Sequence, residues 1–231
     1  MPLDTSAALA CVLASQAAYS ETTLQTPLAH VLIKQDGQAV IVAFRGTANV
    51  RDALTDAECF PLDNHLHRGF DHAYDSIAVP LMDALVRLVD DGGENLYFTG
   101  HSLGGALAVL AGWFFYQHYP TAKVITFGQP RIGNAQFAAM CKARLQDRHW
   151  RFVNQEDVVP RLPLWTMGFR HSGQELFFPS ICGMKLGPPL WLKLLSDVYG
   201  TYMDWRQGHI AQFCDHHVDR YVQAVKSNLC Q

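Results

Sequence analysis

Leu96-Tyr97-Phe98-Thr99 leads directly into Gly100-His101-Ser102-Leu103-Gly104, and a strongly apolar run from Ala106 to about Tyr116 follows. A short strand, a tight turn with serine at its tip and a helix make up the one context in which G-x-S-x-G is informative. The turn is strained for a residue that carries a Cβ. Glycine two positions to either side removes the side chains that would strike the neighbouring strand and helix. The hydroxyl is pushed outward, and the helix N-terminus behind it favours negative charge arriving there. Ser102 is therefore the candidate nucleophile, and the rest of the chain must fold so as to serve it.

Strands alternate with helices along the remainder. Residues 29–33 and 39–44 read as strands about a turn at Asp36-Gly37, and 123–128 and 150–154 as two more. Gly69 to Asp91 carries Ile77, Leu81, Leu85 and Leu88 at helical spacing, with Pro80 expected to kink or divide the segment. Asn134 caps a helix through Phe137, Cys141 and Leu145. Near the start, Asp4, Thr5 or Ser6 caps an amphipathic helix whose apolar side includes Leu9, Val12 and Leu13. The alternation is that of an α/β fold with a mostly parallel sheet covered by helices on both faces. At 231 residues, 49% of them hydrophobic, the chain has enough apolar surface for a single α/β domain over 1–231.

A net charge of −3 leaves no broad basic surface for nucleic acid, and no apolar run reaches the roughly 18 residues of a membrane span. Met1-Pro2-Leu3-Asp4 bears an acid where a secretory signal needs Lys or Arg. A cytoplasmic location is therefore the default expectation, with leaderless export the other route. The six cysteines contain no C-x-x-C pair and fit neither a zinc site nor a disulfide framework, so reduced thiols are expected. His65-Leu66-His67 alternates as a strand would. With no Cys, Asp or Glu cluster beside it, the pair does not read as a metal site.

A serine hydroxyl needs a base, and the base needs an acid to fix its tautomer. In α/β-hydrolase order both follow the serine. Asp157 stands just past a strand's C-terminal end, where sheet enzymes place functional groups, and is preferred to Glu156 and Asp147. Downstream lie His171, His209, His216 and His217. Asp215-His216-His217 immediately precedes an amphipathic segment carrying Tyr221, Val222, Val225 and Leu229, and spacing alone does not choose between His216 and His217. His171 and His209 read as structural. Arg45-Gly46-Thr47 ends a strand; joined to the N–H of Leu103 it would supply two oxyanion donors, though spacing alone favours a plain strand-end turn. Residues 176–213 crowd Phe177, Phe178, Leu190, Trp191, Leu194, Tyr202 and Trp205 about Gly187-Pro188-Pro189. They read as core and cover over the sheet, or as an acyl-binding wall or flap that meets lipid.

Several of these stretches together resemble the class 3 (fungal-type) lipases. Phe44-Arg45-Gly46-Thr47, His67-Arg68-Gly69-Phe70, Thr99 to Ala106, Thr126 to Asn134, Asn154 to Pro160 and His171-Ser172-Gly173 occur in family order over nearly the whole chain. The resemblance implies an α/β-hydrolase fold, with Ser102 as nucleophile, Asp157 as acid, and the N–H groups of Thr47 and Leu103 as the oxyanion hole. It also implies His216 as base, because the family's last motif reads Asp-His with Tyr five residues on, as in Asp215-His216 and Tyr221. Its implied chemistry is hydrolysis of lipid carboxylic esters, as in triacylglycerol, with no metal or organic cofactor. A phospholipase A1, a short-chain carboxylesterase and a catalytically silent lipid-binding module are the alternatives. The implied partners are a lipid ester and, transiently, a lipid surface. One departure stands out: only a short polar stretch separates Thr47 from His67, where fungal lipases carry a helical lid. Either the site is open, or the apolar segment after Gly173 covers it.

Overall fold

Strands rich in Val, Ile and Phe bury both faces here, as the centre of a parallel sheet requires. A computed structural model describes residues 3–47, 66–89, 95–154, 157–179, 184–187 and 216–229. In it β1 (Leu24–Gln25), β2 (His30–Asp36), β3 (Ala39–Phe44), β4 (Leu96–His101), β5 (Lys123–Phe127), β7 (His149–Asn154), β9 (Gln174–Phe178) and β10 (Lys185–Leu186) lie side by side in that order. Pairing is parallel from β3 through β9 and antiparallel at both edges. A second, two-stranded sheet pairs β6 (Gly133–Asn134) with β8 (Phe169–Arg170).

Side-chain alternation divides the apolar residues between two layers. Val40, Val42 and Phe44 face a layer built on α2 (Arg68–Leu88), α3 (Leu103–Phe114) and α4 (Ala135–Leu145). Ile41, Ala43 and Tyr97 face the other, built on α1 (Thr5–Ala17) and α5 (Val218–Leu229). The expected architecture, a mostly parallel sheet with helices on both faces, is the one observed. The Asp36-Gly37 turn stands where expected, with Gly37 at φ +61°. The Asn134 cap accepts from the N–H groups of Gln136 and Phe137 at 3.0 Å each.

Two details differ from expectation. Asp4 caps α1, accepting from Ser6 and Ala7, but the face turned to the sheet is Ala8, Cys11, Val12, Ala14 and Ser15, while Leu13 is 38% exposed. The helix lies too close to the strands for large side chains: the Ser15 hydroxyl reaches Thr99 Oγ1 at 3.0 Å. Since the Thr99 hydroxyl donates to the Ile125 carbonyl at 2.7 Å, Ser15 is the donor in that contact. Second, α2 runs from Arg68 to Leu88 as one element with Pro80 inside it, so the proline does not divide it. Pro80 lies on the exposed side, where freed carbonyls meet water, and Phe70, Tyr74, Ile77, Leu81 and Leu85 carry the buried stripe past it.

Within 176–213 the described part of β9 buries Leu176, Phe177 and Phe178 as core. Most of that segment, with His209, lies outside the described residues, as do Glu156, His65 and Cys59, Cys182, Cys214 and Cys230. Cys11 and Cys141 are free and buried, and burial pushes each thiol up to about 12. Among the described residues no helix is long and apolar enough to cross a membrane.

Candidate active site

Ser102 joins β4 to α3 with φ 59° and ψ −128°, a conformation that a residue with a Cβ holds only when its surroundings impose it. The constraint is close backbone packing. A Cβ on Gly100 would stand 2.3 Å from the carbonyl of Gly104, and one on Gly104 would stand 2.0 Å from the carbonyl oxygen of Phe44. The start of α3 is thus wedged between the ends of β3 and β4, and glycine at both positions is what lets it enter. The Ser102 N–H donates to the Phe127 carbonyl at 3.0 Å, tying the turn to the end of β5.

The same wedge brings the expected oxyanion segments to the turn. Phe44 pairs with Gly100 across the parallel strands. Two residues on, a Cβ at Gly46 would lie 2.8 Å from the His101 carbonyl oxygen, so Gly46 rests against the residue that precedes Ser102. Thr47 follows it directly, and Leu103 opens α3.

Asp157 lies three residues beyond β7 and is buried. His216 Nδ1 stands 3.0 Å from its Oδ1 and 2.9 Å from its Oδ2. The carboxylate also accepts from the Val159 N–H at 2.9 Å and from the Tyr221 hydroxyl at 2.5 Å. A carboxylate only accepts, so His216 carries a hydrogen on Nδ1, which makes Nε2 the nitrogen that offers a lone pair in the neutral ring. Nε2 is buried with no hydrogen-bond partner among the described residues, and so is Ser102 Oγ. These are the two atoms that base-assisted attack uses, and neither is spent on another bond. No hydrogen bond joins the two atoms to each other, and catalytic hydrogen bonds often form only with substrate bound. The end of β5 links both halves: Phe127 holds Ser102, and Gly128, at φ +59°, faces the pair. A Cβ there would lie 2.9 Å from Asp157 Oδ2 and 3.1 Å from His216 Cε1.

The rival residues stand elsewhere. His217 is exposed, as is Asp147, which accepts from Gln174 at 3.4 Å. His171 meets the Pro160 carbonyl through Nε2 at 2.6 Å, and burial holds it well below the usual histidine range. His67 stacks on Phe70 at 4.2 Å between ring centres and belongs to the core. Sequence reasoning missed the Tyr221 hydroxyl on Asp157, although Tyr221 stood in the motif that singled out His216. It also missed Tyr19 and His101, for which no spacing rule gave a signal.

Comparison with known proteins bears on family and fold. The sequence model of the class 3 lipases matches residues 41–167. A secreted mono- and diacylglycerol lipase A of Penicillium cyclopium is 31% identical over 170 residues, 70% of this chain and 55% of that protein. A secreted mono- and diacylglycerol lipase of Fusarium solani is 30% identical over 155 residues, 64% of this chain and 46% of that one. The chain thus spans about half the length of these curated relatives. Among solved structures, a triacylglycerol lipase described as having a serine protease triad at its catalytic centre superposes with a TM-score of 0.64 at 22% identity, over 75% of this chain and 79% of that one. That likeness establishes the fold. The relatives overturn the cytoplasmic expectation, since they are named secreted proteins. The opening residues were no ground for it: α1 docks on the sheet, and a packed element carries no address for either compartment. The family model covers more than half of the sequence, from β3 through the Ser102 turn to the loop beyond Asp157, and the chain belongs to the class 3 lipases.

Proposed function

We propose that this chain hydrolyses carboxylic esters of acylglycerols through an acyl-enzyme on Ser102. The observation that carries the reading is the buried Asp157–His216 pair, whose Nε2 has no hydrogen-bond partner among the described residues, in a fold that holds Ser102 on a strained turn. His216 Nε2 takes the hydroxyl proton as Ser102 Oγ bonds to the ester carbonyl carbon. The carbonyl oxygen becomes an oxyanion facing the N–H groups of Thr47 and Leu103. As it collapses, the bond to the alcohol oxygen breaks and His216 returns its proton to that leaving group. Water, deprotonated by the same nitrogen, then releases the fatty acid and restores Ser102. Asp157 keeps the Nδ1 hydrogen in place and balances the imidazolium throughout. Each oxyanion donor is worth on the order of 10² to 10³ in turnover. The same reading takes residues 1–231 as one hydrolase domain, in support of which α1 and α5, far apart in sequence, share one layer.

The test is fatty acid release from a soluble butyrate ester, an emulsified long-chain triacylglycerol and phosphatidylcholine vesicles, by wild type and Ser102→Ala. Serine-dependent release from the emulsion is expected. Release from the butyrate ester alone would make the protein an esterase, and release from the vesicles a phospholipase. A Ser102→Ala variant that keeps wild-type turnover would remove the serine from the mechanism.

A further inference from the structure

His216 is held by more than its ring. His101, the residue immediately before Ser102, is buried, and its Nε2 lies 2.5 Å from the main-chain carbonyl oxygen of His216. A carbonyl only accepts, so the hydrogen is on His101 Nε2. Burial, with His216 and His217 close by, keeps this imidazole well below its ordinary pKa, so the ring is neutral and Nδ1 can only accept. Nδ1 meets the Tyr19 hydroxyl at 2.7 Å, and burial pushes that phenol up to about 12, so it keeps its proton and donates. Every hydrogen in the series is assigned: Tyr19 O–H to His101 Nδ1, then His101 Nε2–H to the His216 carbonyl. The phenol also abuts the oxyanion side, because a Cβ on Gly46 would lie 2.3 Å from Tyr19 Oη. The His101 ring in turn lies 4.5 Å from the His216 ring, centre to centre.

We propose that Tyr19 and His101 are positioning residues for His216. The phenol selects the His101 tautomer that grips the His216 main chain, and that grip sets where Nε2 stands relative to Ser102. The proposal rests on the reading of Ser102 and His216 as the working pair. The physical need is plain. Bonds from Nδ1 to Asp157 hold one edge of the His216 ring but leave it free to pivot about that edge, and a pivot sweeps Nε2, the opposite corner. A main-chain anchor removes this freedom. Without the Tyr19 hydroxyl, His101 can carry its hydrogen on Nδ1 instead, which would turn a bare nitrogen toward a carbonyl oxygen and undo the grip.

The experiment compares Tyr19→Phe, His101→Gln and His101→Phe on the soluble butyrate ester, with active sites counted by fluorophosphonate titration. A misplacement of the order of 1 Å costs about a hundredfold, so kcat per titrated site should fall roughly five- to fiftyfold in Tyr19→Phe with KM within about twofold. His101→Gln, whose amide N–H can still reach the carbonyl, should retain about tenfold more kcat than His101→Phe. Purely structural residues would lower the number of titrated sites and the melting temperature but leave kcat per site unchanged, and that result overturns the proposal. A rise in KM at constant kcat would also overturn it, by making Tyr19 a substrate contact. A second readout needs no turnover. In a Ser102→Ala background, the downfield proton resonance of His216 Nδ1–H, identified by its loss in His216→Gln, should broaden or vanish on adding Tyr19→Phe. An unchanged resonance overturns the positioning role, whereas retained activity in Ser102→Ala alone overturns the serine mechanism on which it rests.

Discussion

A methyl group on Gly128 would press on Asp157 Oδ2 and on the His216 ring at once, on a backbone whose φ of +59° already disfavours a side chain. Gly128→Ala should therefore push apart the two residues that share a hydrogen while leaving Ser102 untouched. Turnover of the butyrate ester should fall by about a hundredfold or more, as expected when a base is displaced by a fraction of its bond length. The reaction with fluorophosphonate should slow in parallel. A Gly128→Ala variant with wild-type labelling would show that the pair tolerates the displacement. At this scale the Ser102 turn was the most legible feature of the sequence, since its glycines answer to local backbone contacts between neighbouring segments. Tyr19 was invisible for the opposite reason: it meets His101 across 82 positions, and nothing in either stretch announces the other.

At the scale of elements, strand assignments survived well because runs such as Val40 to Phe44 are apolar on both faces. The helix faces were harder to read. Periodicity singles out large apolar residues, so Leu9, Val12 and Leu13 stood out in α1; Val12 is buried and Leu9 partly so, but Leu13 is not, and close approach to the sheet also selects Ala8, Cys11, Ala14 and Ser15. The difference can be measured. Ala14→Leu should cost about 1–3 kcal/mol through overpacking. Leu13→Ala, at a largely solvated position, should stay within about 0.5 kcal/mol. Urea midpoints of the two variants decide it, and the reverse order would put the leucine side against the sheet. Pro80 teaches the same lesson. Its penalty is local, while the stripe from Phe70 to Leu85 is buried along the whole of α2.

For the molecule as a whole, three histidines are folded neutral. Burial lowers His149 to about 3, and it is the leading cause that holds His101 and His171 well below their usual range. The unfolded chain protonates each near 6.5, so below that pH the unfolded state binds more protons and stability declines on acidification. For His149 the loss runs from about pH 6.5 down toward pH 3, at up to about 1.4 kcal/mol per pH unit, and His101 and His171 act in the same direction below about pH 6.5. A urea midpoint that is the same at pH 5 as at pH 7.5 would contradict this. His171 read as structural from the sequence, but His101 and His149 gave no such sign, because burial is a property of the assembled layers and not of any one stretch.

The layer formed by α1 and α5 has a consequence in time. Gln16 near the start of the chain donates to Asp219 near its end at 2.6 Å, and His216 and Tyr221 arrive only with that last helix. During synthesis the strands and the Ser102 turn leave the ribosome more than a hundred residues ahead of the proposed base. On the proposed mechanism, the Asp157–His216–Tyr221 contacts close only after the segment that packs on α1 has been made.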